Sequence, residues 1–178
     1  SSHFFAHVRA STGTATSRAN CHPFSYKNWM GMHNGQVGGY EQFRRALETY
    51  ITDEHYIKRM GTTDSEALFY MLFNFGLESD PVNAIRKMVS TVETLQADRN
   101  ITEPFRCTMA ITDGDDLYCL RHSNDRFAPS LYWRHKDGDL VVVSEPLTED
   151  HEGWNKVPAS HVLVANKSEV KEIVALKV

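Results

Sequence analysis

An arginine closes the short apolar run Phe4-Phe5-Ala6-His7-Val8 and opens the hydroxyl-rich stretch Ser11-Thr12-Gly13-Thr14. A guanidinium in that setting presents parallel N–H donors that match a small carboxylate, and a hydroxyl such as that of Thr12 adds another bond. Asp64, in Thr62-Thr63-Asp64-Ser65-Glu66, supplies the opposite charge, a carboxylate able to pair with an ammonium. Arg9, Thr12 and Asp64 together suit both charges of a free α-amino acid. Between them lies His33-Asn34-Gly35. A carboxamide N–H beside an unobstructed glycine N–H makes a two-donor hole for a developing oxyanion, and loss of one such donor typically costs about 3 kcal/mol of barrier.

Each of these residues also has a structural use. Arg9 serves equally well in a surface ion pair, which contributes little. Asn34-Gly35 can end a strand and begin a type I′ turn, although Gln36-Val37-Gly38-Gly39 makes a poor return strand. Thr63 and Glu66 fit a capping box, which leaves Asp64 in the first helical turn, where the helix dipole favours a carboxylate. His3 and His7 on a strand lie ~13 Å apart and cannot share an ion, so no metal or other cofactor is expected. Neighbouring Cys21 and His22 point to opposite faces of a strand. A nucleophilic pairing of Cys21 with His33 or His7 stays open, while Cys107 and Cys119 read as core thiols.

The elements that position these residues follow from periodicity. Phe4 to Val8 reads as a strand, followed by a Ser/Thr-rich loop and a second strand over Tyr26 to Met32. Phe43, Ala46, Leu47 and Tyr50, then Leu68, Met71, Leu72 and Phe75, fall at the i, i+3, i+4, i+7 spacing of amphipathic helices. Asp80 caps a third helix with Pro81 in its first turn and Ile85, Met88, Val89 and Val92 as its buried stripe. Apolar runs 107–111 and 117–120 flank Asp113-Gly114, and 131–135 and 140–143 flank Asp137-Gly138. Asp-Gly between apolar runs marks a hairpin. This order implies an antiparallel sheet packed on helices, hence an α+β chain rather than a doubly wound one.

Composition bounds the partners. The 178 residues carry 19 basic and 23 acidic side chains with no basic run, which excludes a nucleic-acid footprint. No apolar run approaches the ~18 residues of a membrane-spanning helix, and the first residues lack a signal-peptide pattern. Three cysteines without ligand-like spacing fit a reducing cytoplasm. No linker, repeat or charge run divides the chain, so one domain over 1–178 is expected.

The strings HVRAST (7–12), NCHPF (20–24), NWMGMHNGQ (28–36) and GTTDSE (61–66), with VVVSEPL (141–147) and WNKVP (154–158) in support, give the chain its likeness. It resembles the class II glutamine amidotransferases of the N-terminal-nucleophile family, and among them the small stand-alone members related to the ergothioneine-pathway γ-glutamyl hydrolase. The resemblance spans nearly the whole chain and implies a four-layer αββα sandwich of antiparallel sheets. It implies that Arg9 and Thr12 bind the glutamine α-carboxylate, that Asp64 binds the α-amino group, and that Asn34 and Gly35 form the oxyanion hole. The family's nucleophile is an N-terminal cysteine whose own α-amino group is the base, whereas this chain opens Ser1-Ser2-His3. The expectation is therefore a domain without its N-terminal segment. Its complete form would cleave the side-chain amide of glutamine or of a γ-glutamyl compound through a thioester, with ammonia released or passed to an acceptor enzyme or subunit. Two other readings are a non-catalytic domain that binds an amino acid or γ-glutamyl peptide, and a Cys21-dependent hydrolase.

Overall fold

The computed structural model describes residues 4–8, 18–146 and 152–177. A 3-10 turn, Arg18–Asn20, leads into the hairpin of β1 (Phe24–Tyr26) and β2 (Trp29–Val37). Four helices follow: α1 (Tyr40–Glu48), α2 (Asp53–Tyr56), α3 (Asp64–Asn74) and α4 (Pro81–Ala97). The remaining strands are β3 (Phe105–Thr112), β4 (Asp116–Ser123), β5 (Tyr132–Lys136), β6 (Asp139–Val143), β7 (Asn155–Lys156), β8 (His161–Asn166) and β9 (Val170–Ala175). All pairings are antiparallel, in a six-stranded sheet of order β1-β2-β3-β4-β8-β9 and a three-stranded sheet of order β6-β5-β7.

The two-residue period of a strand divides the larger sheet cleanly. Phe105, Cys107, Met109 and Ile111 of β3, Tyr118 and Leu120 of β4, and Val162 and Val164 of β8 join the helices in one core. The residues between them, Ala110, Leu117, Cys119, Leu163 and Ala165, turn to the other face and meet Leu131, Val157, Trp133, Leu140 and Val142 around the smaller sheet. The larger sheet is thus covered by helices on one face and by a second antiparallel sheet on the other, which gives, among the described residues, the two stacked antiparallel sheets and one of the two helical layers that the resemblance implies. Strands covered on both faces need apolar residues at successive positions, which is what 107–111 and 117–120 supply. Among the described residues no helix is long and apolar enough to cross a membrane.

Several local expectations are met. Asp80 caps α4 by accepting from the Asn83 N–H, with Pro81 at its start. Asp137 and Gly138 both have positive φ, as a type I′ turn requires. Thr63 caps α3 by accepting from the Glu66 N–H. The Glu66 carboxylate does not return the bond in capping-box fashion; it accepts from the N–H groups of Met60 and Gly61 and so braces the segment ahead of the helix. Nine consecutive residues of α3, Ser65 to Phe73, are buried, which makes it the central helix rather than an amphipathic surface one.

Two expectations change. Residues 4–8 are not a strand: exposure alternates along them, with Phe5 and His7 half-buried, yet no neighbouring edge pairs with them among the described residues. The second strand does not begin at Tyr26 or end at Asn34-Gly35. Lys27, with φ of 53°, turns β1 into β2, and β2 continues to Val37 with Asn34 opposite Thr108, Gly35 opposite Cys107 and Val37 opposite Phe105. A bond from Gly38 N–H to the Pro104 carbonyl extends that contact. The type I′ alternative fails because β3 is long enough to keep pairing where a turn would have separated the strands.

The helices are tied by a buried ionic cluster. The Arg59 guanidinium lies 2.6 Å from the Glu48 carboxylate of α1 and 3.5 Å from that of Glu66 in α3. Without the cation the buried Glu66 carboxylate keeps its two main-chain donors but loses its ionic partner, while Glu48 keeps Arg44 at 2.7 Å; breaking a buried pair in this way costs about 3–5 kcal/mol. Arg59→Ala is expected to lower the unfolding free energy by about that amount in a denaturant titration, with the m-value unchanged.

Gly35 offers a second check. It has φ of 151°, and a Cβ added there would lie 2.0 Å from the Arg106 carbonyl oxygen; Gly114 has φ of 101° and open space around its Cβ position. Both alanine variants carry backbone strain of about 1–3 kcal/mol, and only the first adds a clash with fixed main chain. Thermal melts should place Gly35→Ala well below Gly114→Ala.

Candidate functional site

The three segments that carry the chemistry meet at one end of the larger sheet. A cavity of about 510 Å³ is lined by residues 33–37 at the end of β2, 39–42 at the start of α1 and 62–65 at the start of α3, together with His7, Val8 and His22. Asn34, Gly35 and Asp64 all belong to this wall. Arg9 and Thr12 lie outside the described residues, as does Ser1.

Asn34 is exposed, and its carbonyl oxygen accepts from the Thr108 hydroxyl at 2.9 Å. That bond fixes the main chain and leaves the carboxamide without a protein partner among the described residues. Gly35 follows in a conformation that a side chain could enter only by displacing the Arg106 main chain.

Asp64 is more committed than a free first-turn carboxylate. Oδ2 accepts from the Val37 N–H at 2.9 Å, and Oδ1 accepts from the Ser65 N–H at 2.7 Å and the Ser65 hydroxyl at 3.2 Å. An ionised carboxylate has about four acceptor positions. The geometry therefore fixes the group while leaving capacity for one further donor. The bond from Val37 also ties the head of α3 to the strand that carries Asn34 and Gly35.

The start of α1 is a feature that sequence reading passed over. It begins after Gly39, whose φ is 68° and which has no side chain to cap the first turn. First-turn amides are then left for solvent or an anion, where the helix dipole favours negative charge. The Gly38-Gly39 pair is the signal that could have drawn attention to it.

His33, in sequence only a possible partner of a cysteine, is another such feature. It is 3% exposed, and its Nδ1 lies 2.9 Å from the Ser65 hydroxyl. Burial lowers its pKa; Asp64 and the Arg106 main chain oppose the shift, and His7 adds to it. The parity of His33 with Trp29 and Val37, which are both buried, is the signal for its inward placement.

The cysteines are dispersed. Cys21 is exposed and does not line the cavity. Cys107 and Cys119 are buried in strands; burial pushes the Cys107 thiol far up, and that of Cys119 up to about 12. The rings of His7 and His22 lie tilted against each other at the cavity wall, with centroids 4.2 Å apart. No group of three or more His, Cys, Asp or Glu residues among the described ones is arranged to hold a metal ion.

Comparison with known proteins agrees with this architecture. The model of the class-II glutamine amidotransferase family matches residues 1–136. The probable glutamine amidotransferase DUG3 of Saccharomyces cerevisiae is 30% identical over 206 aligned residues, covering 93% of this chain and 57% of that protein. The chain thus spans little more than half the length of that relative. The solved structure of a glutamine aminotransferase class-II domain protein from Silicibacter pomeroyi is 38% identical, with a TM-score of 0.81 over 91% of this chain and 74% of its own. The glutamine phosphoribosylpyrophosphate amidotransferase of B. subtilis shares the fold at 18% identity, with a TM-score of 0.62 over 96% of this chain and 34% of its own. With a family match over most of its length, and two antiparallel sheets stacked beneath a helical layer, the chain belongs to the class-II glutamine amidotransferases.

Proposed function

We propose that the cavity receives the glutamyl end of glutamine or of a γ-glutamyl compound, and that the protein cleaves its side-chain amide through a cysteine thioester. The observation that carries this reading is the convergence of Asn34, Gly35 and Asp64 on one cavity wall, with Asp64 bonded to the same strand through Val37. Asp64 uses its remaining acceptor capacity for the α-ammonium, and Arg9 and Thr12 take the α-carboxylate. A charged group at each end of the substrate backbone leaves the side chain pointing at Asn34 and Gly35.

In the reaction a thiolate attacks the amide carbon, and the carbonyl oxygen gains negative charge. The Asn34 carboxamide N–H and the Gly35 main-chain N–H donate to that oxyanion in place of water, an arrangement whose donors stabilise charge formed only in the transition state. The intermediate collapses with loss of ammonia, which is released or passed to an acceptor, and water hydrolyses the thioester to glutamate. The nucleophile in this reading is an N-terminal cysteine activated by its own α-amino group, distinct from Cys21, Cys107 and Cys119. The burial that raises the thiols of Cys107 and Cys119 argues against either as the attacking group.

The decisive substitution is Asn34→Asp in the full-length protein, which replaces the donor with negative charge beside the oxyanion. Glutaminase kcat is expected to fall by about 10²-fold or more with the melting temperature nearly unchanged. Activity close to that of the parent would remove Asn34 from the site. A full-length protein that binds glutamine without turning it over would instead support a binding domain.

The nucleophile is tested separately. Cys21→Ala should leave turnover within a few-fold, and complete loss in a folded variant would transfer the nucleophilic role to Cys21.

A further inference from the structure

One buried polar group at the cavity has no part in the chemistry above. His33 precedes Asn34 on β2 and turns to the helix side, where its Nδ1 meets the Ser65 hydroxyl at 2.9 Å. Its Nε2 is buried on the side of the Arg106 main chain, without a hydrogen bond of good geometry among the described residues. Ser65 stands in the first turn of α3, and its hydroxyl also reaches Asp64 Oδ1 at 3.2 Å. The other side of the ring is closed by the neighbouring backbone: a Cβ on Gly35 would lie 2.8 Å from Nε2 and 2.0 Å from the Arg106 carbonyl oxygen. The imidazole therefore fills the space between the strand that carries Asn34 and Gly35 and the helix head that carries Asp64.

We propose that His33 is a positioning residue that sets the separation between the oxyanion donors of β2 and the Asp64 carboxylate, so that binding of the α-ammonium is converted into alignment of the amide carbonyl. The inference rests on the reading under Proposed function. Two links join the strand to the helix head, the Val37 N–H to Asp64 and the His33 ring to Ser65. The first touches the carboxylate itself, and only the second is a rigid side-chain spacer. Its rigidity comes from packing: the ring is buried on one side by the helix head and on the other by main chain that has no side chain to move aside. Burial also keeps the ring neutral against the pull of Asp64, and a neutral imidazole can bond the serine hydroxyl without importing a charge. Misplacement of reacting groups by about 1 Å can cost about 10²-fold in rate. A spacer of this kind thus acts on kcat even though it touches neither the reacting amide nor the ammonium.

The test compares two substrates on the full-length protein: glutamine, and the analogue 4-carbamoylbutanoate, which lacks the α-amino group. In the parent the α-ammonium should raise kcat as well as lower KM, because remote binding energy is used for alignment. His33→Leu keeps volume and removes the link to Ser65. It should lower kcat for glutamine by about ten-fold or more, and shrink the kcat ratio of glutamine to the analogue towards one, while KM for glutamine changes less. His33→Asn, whose amide can occupy the position of Nδ1, should restore much of the ratio. Ser65→Ala breaks the same link from the other partner and gives the same shrinkage should His33→Leu fold poorly. An unchanged ratio in folded His33→Leu or Ser65→Ala would overturn the proposal. So would an equal loss of kcat on both substrates that His33→Asn does not rescue. Those results leave the amide-cleavage reading intact when Asn34→Asp is inactive, whereas an active Asn34→Asp removes that reading itself.

Discussion

The register of β2 against β3 is the constraint on which the site depends. It runs without interruption from Met30 opposite Thr112 to Val37 opposite Phe105. Successive strand residues alternate between faces, so a slip of one residue would exchange every side chain across the sheet. Trp29 and Val37 would leave the helical core, His33 would lose Ser65, and Asn34 would turn into the space under α3. The buried ends of the strand hold the exposed stretch between them, Asn34 to Gln36, in a place that its own side chains could not specify.

That arrangement separates stability from chemistry along a single strand. Trp29, His33 and Val37 are buried and pack or bond, whereas Asn34, Gly35 and Gln36 are exposed at the cavity. The same division recurs at the head of α3. Thr63 and Glu66 satisfy main-chain donors on either side of Asp64, and Arg59 links Glu66 to Glu48 of α1. Asp64 can then keep part of its acceptor capacity uncommitted, because its neighbours hold the helix start. The burial of α3 along Ser65 to Phe73 supplies the stiffness behind that carboxylate.

What could be read from the sequence was whatever short-range chemistry decides. Asp80-Pro81 as a helix start and Asp137-Gly138 as a turn are choices made within a few residues, and both appear as expected. The convergence of Asn34, Gly35 and Asp64 was legible through their types and order in the chain. Long-range pairing was not. Asn34-Gly35 carries the signature of a turn, and pairing with Thr108 and Cys107, continued by Arg106 and Phe105 opposite the next two residues, keeps it extended. The run 4–8 has the alternation of a strand and pairs with no sheet edge among the described residues. Glu66 offered a capping box, yet its carboxylate found the amides of Met60 and Gly61, six and five residues back, a choice set by how the loop folds over the helix start. The spacer role of His33 needed the distance to Ser65, which sequence separation alone does not give.

The smaller sheet is joined to the larger one through Arg121. Its guanidinium donates to the main-chain carbonyls of Ala128, Pro129 and Val157, at 3.1, 2.6 and 2.9 Å. These acceptors belong to the backbone, which every amino acid presents alike. Side chains along the connection can therefore drift over evolutionary time without loosening the joint, while an inserted or deleted residue would move the carbonyls out of reach. The connection is tolerant of substitution and intolerant of length, and variation among relatives should respect that asymmetry wherever the arginine is kept.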